Sequence, residues 1–87
     1  LHAGDMAAQI SRALDNLEAV LAKGNFKLAD VVRLNYYTTD VDAFSAAAAA
    51  SGRRLAAAGC HPASTLLGVA RLFLPEILVE LEATAMA

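Results

Sequence analysis

Six apolar residues, Ile10, Ala13, Leu14, Leu17, Val20 and Leu21, recur at spacings of three and four, and the period then drops to two in the stretch "VVRLNYYTT", residues 31–39. No other feature restricts the fold as strongly. A chain that opens with an amphipathic helix and runs into a β-branched, aromatic strand must lay the apolar stripe of the helix on one face of a sheet. The first helix is predicted over residues 6–23, with Asp5 as its N-cap, Lys23 at the negative end of the dipole and Gly24 taking the left-handed conformation that stops it. The side away from the stripe, Gln9, Arg12, Asp15, Asn16 and Glu18, reads as a solvated face.

In the strand at 31–39, alternation puts Val32, Leu34 and Tyr36 on one face and Val31, Arg33, Asn35 and Tyr37 on the other. One tyrosine is then expected in the core and the other at a subunit contact. "DVDAFSAAAAASGRRLAAAG" follows as a single helix, capped by Asp40 and stopped by Gly59. Val41, Phe44 and Leu55 anchor its shallow buried face, and its alanines let it lie close to a sheet. Arg53 and Arg54 read as solvated. Residues 64–72 and 77–86 are predicted as two more strands, joined by a turn containing Pro75. The order is αβαββ, an α+β domain over residues 1–87. Its strand–helix–strand unit crosses right-handedly, which makes 31–39 parallel to a neighbour and sets both helices on one face of the sheet. Apolar residues on both parities of 64–72 imply that something covers the second face, and a second copy of the chain is the economical cover. Because the chain starts at Leu1 with a helix, opening strands are expected upstream.

Composition narrows the function. The chain is 57% hydrophobic and 18% charged, more apolar than a typical small soluble domain, which favours self-association. A net charge of -2 argues against nucleic acid or an anionic membrane as the main partner, since neutralising phosphates takes clustered Lys and Arg. No apolar run reaches the ~18 residues of a membrane span. A single cysteine, Cys60, cannot form an internal disulfide, which fits a reducing, cytoplasmic setting. Cys60 and His61 adjoin without a second ligand pair, so the expectation is a loop thiol with no metal and no cofactor. His2 and His61 are not spaced to serve Ser64 as a nucleophile.

The closing "LVELEATAMA" carries two carboxylates, Glu80 and Glu82, on one face of a strand. Pattern alone makes that a wet face. "GDMAAQISRALDNLEAVLAKGNFKLADVVRLNYYTTDVDAF", "HPASTLLGVARL" and "LVELEATA", in this order, resemble the Rid (YjgF/YER057c/UK114) family, whose best-known members are 2-iminobutanoate/2-iminopropanoate deaminases. The resemblance implies a chorismate-mutase-like α+β fold, a homotrimer with ligand clefts at the subunit boundaries, and hydrolysis of an imine or enamine C=N bond. It assigns Glu80 to the attacking water. It also sets Ser64 where the deaminases carry the arginine that grips the substrate carboxylate, Leu66 where many members have cysteine, and, counted from "DAF", Ala48 at a pocket asparagine. Replacing a guanidinium fork by one neutral hydroxyl typically costs about 2–5 kcal/mol of binding. The alternative is therefore a ligand-binding or chaperone-like trimer without turnover, and ribonuclease activity of the kind reported for some relatives is least favoured by the charge balance. For Ser64 and Glu80 to share a cleft within one sheet, the last two strands would have to pair residues of like parity, for example Ala70 opposite Glu80. Arg71, of the other parity, would face away. Enclosure at a boundary would push the Glu80 carboxyl toward the working range of a general acid or base.

Overall fold

Asp5 starts the first helix in the computed structural model, which describes residues 5–86: its Oδ1 accepts the Ala8 N–H at 3.0 Å, and α1 runs Met6–Lys23. The helix ends at Lys23 as expected, but the left-handed residue comes one position later than the glycine suggested. Gly24 keeps a negative φ of -96°, and Asn25 takes the left-handed conformation at φ 64°. Phe26 N–H then bonds Leu21 O at 2.9 Å and Asn25 N–H bonds Ala22 O at 3.0 Å, a Schellman closure with asparagine in the usual glycine position. A Cβ at Gly24 would stand 3.1 Å from the Phe26 ring, which would have to give by a few tenths of an ångström.

A short 3₁₀ turn, Leu28–Asp30, leads into β1, Val31–Thr38. A β-bulge between Val31 and Arg33 changes the predicted alternation: Val31 turns inward at 3% exposure while Val32 is 46% exposed. Beyond the bulge the parity holds. Leu34 and Thr38 are fully buried against the helices and Tyr36 is half-buried, its ring 5.2 Å from that of Phe44.

Asp40 caps the next helix as expected, its Oδ1 accepting the Ala43 N–H at 3.0 Å. The predicted single helix is divided at Ala48 into α2, Val41–Ala47, and α3, Ala49–Ala57. At that break the Ala48 carbonyl accepts both the Gly52 N–H and the Ser51 hydroxyl, the latter at 2.8 Å, a doubled demand that bends helices. Gly59, at φ 73°, stops α3, and Cys60 N–H closes back on Leu55 O. That closure carries Cys60 into the core at 3% exposure, so the expected loop thiol is a buried one, and burial pushes its pKa up.

The remaining strands are β2, Ala63–Gly68, and β3, Val79–Ala85, and the sheet order is β2-β1-β3. β1 is parallel to β2, as the crossover requires, and antiparallel to β3. The last two strands are therefore not neighbours, and no register between them exists to oppose Ala70 to Glu80. β2 ends at Gly68 because its partner ends at Thr38. The chain then arches over the C-terminal end of β1, with Val69 N–H on Thr38 O at 2.9 Å and Thr39 N–H on Leu78 O at 3.2 Å. The buried Thr38 hydroxyl donates to Leu78 O at 2.7 Å.

Two side chains assigned to solvent do structural work. Gln9 is 6% exposed; its Nε2 donates to Glu76 O at 2.8 Å and its Oε1 accepts the Leu78 N–H at 2.7 Å, which ties the arch to α1. Arg54 reaches from α3 to α1, pairing with Asp15 at 2.8 Å and with Glu18. Ile10 and Leu14 of α1 meet Leu34 in the core, all at 1% exposure or less, and the helices share one side of the sheet.

Gln9→Leu leaves the Leu78 N–H and Glu76 carbonyl without these partners, and a loss of about 1–3 kcal/mol in denaturant-midpoint stability is expected. Gly52→Ala should do the opposite: a Cβ there meets nothing within 4 Å, and helix propensity predicts a gain of about 0.5–1 kcal/mol in the same measurement. Cys60 should resist a thiol reagent in the native protein and react at once in denaturant.

Candidate functional site

Opposite the helices, the sheet presents a polar face. Register and parity put Arg33, Asn35 and Tyr37 of β1 there, with Thr65 and Leu67 of β2 on one side and Glu80, Glu82 and Thr84 of β3 on the other. Arg33 Nη2 donates to Thr65 Oγ1 at 3.0 Å. Glu82 Oε1 accepts from Asn35 Nδ2 at 3.1 Å and from the Tyr37 hydroxyl at 2.9 Å. These two bonds, the Asn35 one foremost, with help from the Arg33 charge, hold the Glu82 carboxyl below its ordinary value. The same bond raises the Tyr37 phenol. Leu67, 45% exposed, and Ala63 are apolar members of this face.

Glu80 is differently placed. It stands opposite Tyr37, exposed, and its Oε1 accepts only the backbone N–H of Phe73, at 3.3 Å. It has no cation partner among the described residues. Of the two carboxylates on β3, Glu82 is committed to its neighbours and Glu80 is free to meet a solute.

The other sequence-predicted site residues lie elsewhere. Ser64 pairs with Leu34 and Leu66 with Tyr36, so both share the helix side of the sheet, on the far edge from Glu80. The Ser64 hydroxyl has one contact, the Pro62 carbonyl at 3.5 Å, and Leu66 is 37% exposed. Ala48 sits at the α2–α3 break, packed against the core. Within one chain, then, Ser64, Leu66 and Ala48 do not converge with Glu80. His61 is exposed beside buried Cys60, His2 lies outside the described residues, and no cluster of three or more metal-ligating side chains forms among the described residues. No helix is long and apolar enough to cross a membrane among those residues.

Two recesses lie near this edge of the sheet, one of them lined by Glu80. The arch from 69 to 78 encloses a cavity of about 330 Å³ lined by Thr39, Ala70, Arg71, Leu72, Phe73, Leu74, Pro75 and Ile77. A shallower groove of about 460 Å³ runs between α1 and the outer edge of β3, lined by Asn16, Leu17, Val20, Glu80 and Leu81 among others. Arg71, predicted to face away on a strand, is past the end of β2 on the cavity wall, where strand parity no longer applies. The tie between Glu80 and the arch, and the commitment of Glu82 to Asn35 and Tyr37, had no sequence signal beyond alternation, because both depend on which strands are neighbours.

The family model described as Endoribonuclease L-PSP matches residues 1–87. A Rid-family protein of unknown function from Yersinia pestis is 36% identical, with a TM-score of 0.86, over 100% of this chain and 66% of that one. The YjgF gene product of E. coli is 29% identical with a TM-score of 0.85, over 94% of this chain and 65% of that one. A YjgF/YER057c/UK114 member from Mycobacterium tuberculosis is 33% identical with a TM-score of 0.78, over 97% of this chain and 70% of that one. The chain thus spans just under two-thirds of the length of the first two. Among curated proteins none matches. With a model match along its whole length and relatives above 30% identity across nearly all of it, the chain belongs to the Rid (YjgF/YER057c/UK114) family.

Proposed function

We propose that this protein hydrolyses the C=N bond of an imine or enamine-derived imine, with Glu80 as the general base, in a cleft completed by a second copy of the chain within a homotrimer. One observation carries the reading: Glu80 is an exposed carboxylate with no cation partner among the described residues, held by a single backbone N–H and lining the groove between α1 and β3, while its neighbour Glu82 is consumed by Asn35 and Tyr37. Glu80 takes a proton from water as the oxygen adds to the imine carbon. It then returns the proton to nitrogen, the carbinolamine collapses to a carbonyl, and ammonia leaves. Since Ser64 and Glu80 occupy opposite faces and opposite edges of one sheet, a cleft that uses both has to draw them from two copies. A polar sheet face that also exposes Leu67 is suited to such a boundary.

A second reading, ligand binding without turnover, draws on Ser64, whose lone hydroxyl is a weak anchor for a carboxylate. An endoribonuclease, which the description of the family model suggests, is disfavoured: the single arginine of the open face shares it with Glu80 and Glu82, and the net charge is -2.

The test generates imines in situ from amino acids with an amino-acid oxidase and follows ammonia. Glu80→Gln should lower the rate by about 10²–10⁴-fold while Glu82→Gln keeps most of it. Ser64→Arg should raise activity on α-imino acids, and native mass spectrometry should find three chains per particle. No ammonia above the uncatalysed rate from an intact trimer, or a Glu80→Gln variant as fast as the parent, would refute the hydrolase; ligand-dependent melting shifts without turnover would then favour binding.

A further inference from the structure

The arch between β2 and β3 is more than a connection. It is held at both ends, by Val69 N–H on Thr38 O and by the Gln9 amide on Glu76 O and Leu78 N–H, and in its middle by Phe73 N–H on Glu80. The recess beneath it is therefore present before any ligand arrives. Its volume of about 330 Å³ lies at the small end of the ~300–1,000 Å³ usual for small-molecule sites. Leu72, Leu74 and Ile77 make much of its wall apolar, and Arg71 contributes its one ionised side chain. Phe73, 87% exposed, stands at the opening with its ring in solvent. Among the described residues Arg71 forms no ion pair, in contrast with Arg54, which is held by Asp15 and Glu18. Glu80, tied to this arch through the Phe73 N–H, makes no ion pair with Arg71.

From this juxtaposition we propose that the arch is a binding site for a small organic monocarboxylate with an apolar body: the Arg71 guanidinium takes the carboxylate as a two-pronged, charge-assisted pair, and Leu72, Phe73, Leu74 and Ile77 take the body. A guanidinium beside apolar walls favours a planar anion over water more than one on an open surface does. Thr39 lies on the same wall. The site stands whether or not Glu80 hydrolyses anything, because it requires only binding.

Isothermal titration with 3-phenylpropionate and with its uncharged twin 3-phenylpropionamide tests the proposal. One carboxylate should bind per chain, at least tenfold more tightly than the amide. Arg71→Gln should erase that preference and weaken the acid at least tenfold. Arg71→Lys should keep part of it, and Arg12→Gln on the outer face of α1 should change nothing. Amide chemical shifts should move in residues 69–78 and not around Ser64. Equal affinity for acid and amide, undiminished binding to Arg71→Gln, shifts centred on Ser64, or no heat from the folded parent at millimolar ligand would each overturn the site. Loss of ammonia release alone, with this binding intact, would count only against the hydrolase.

Discussion

Both edges of β1 are paired, and most of what is distinctive here follows from that. A strand with a parallel partner on one side and an antiparallel partner on the other forces the chain to cross over its end between residues 69 and 78. The crossing separates Ser64 from Glu80 by the width of the sheet, ends β2 at Gly68, and lifts Arg71 out of the strand. It also produces the recess beside Glu80. A two-residue hairpin between the last strands would have created none of these.

The crossing needs an anchor, because an exposed ten-residue loop would otherwise have no reason to hold one shape. Two buried polar side chains supply it. Thr38, fully buried, gives its hydroxyl to Leu78 O, and Gln9, from the first helix, bonds both sides of the peptide segment at Glu76 and Leu78. Such groups cost free energy when buried alone and specify one arrangement when satisfied, which is their role at the junction of α1, β1 and β3. Upstream of the site, the same helix is clamped to α3 by Arg54.

Two carboxylates two residues apart on one strand face end up with different chemistry. Glu82 is stabilised as an anion by Asn35 and Tyr37, and is poorly suited to trade protons. Glu80 meets a single backbone N–H, that of Phe73 on the arch. The hydrogen bonds thus distinguish the two carboxylates, leaving Glu80 the less committed of the pair. A fold shared with relatives does not fix the reaction.

Sequence by itself determined what depends on local periodicity and on single-residue chemistry. It was enough for α1 with its Asp5 cap, the Asp40 and Gly59 limits of the second helical segment, the parallel crossover, the side of the sheet that carries the helices, and the pairing of Glu80 with Glu82 on one face. These follow from side-chain direction along an element and from the handedness of the chain. Only the tertiary structure decided the rest. The bulge at Val32 inverted the exposure of its neighbour Val31, Gln9 went from a polar helix face into the core, Cys60 was drawn inward by the closure of α3, and β3 crossed to the far edge of β1. Each of these is settled by which distant segment lies alongside, a long-range competition for burial and hydrogen bonds that a pattern read along the chain does not contain.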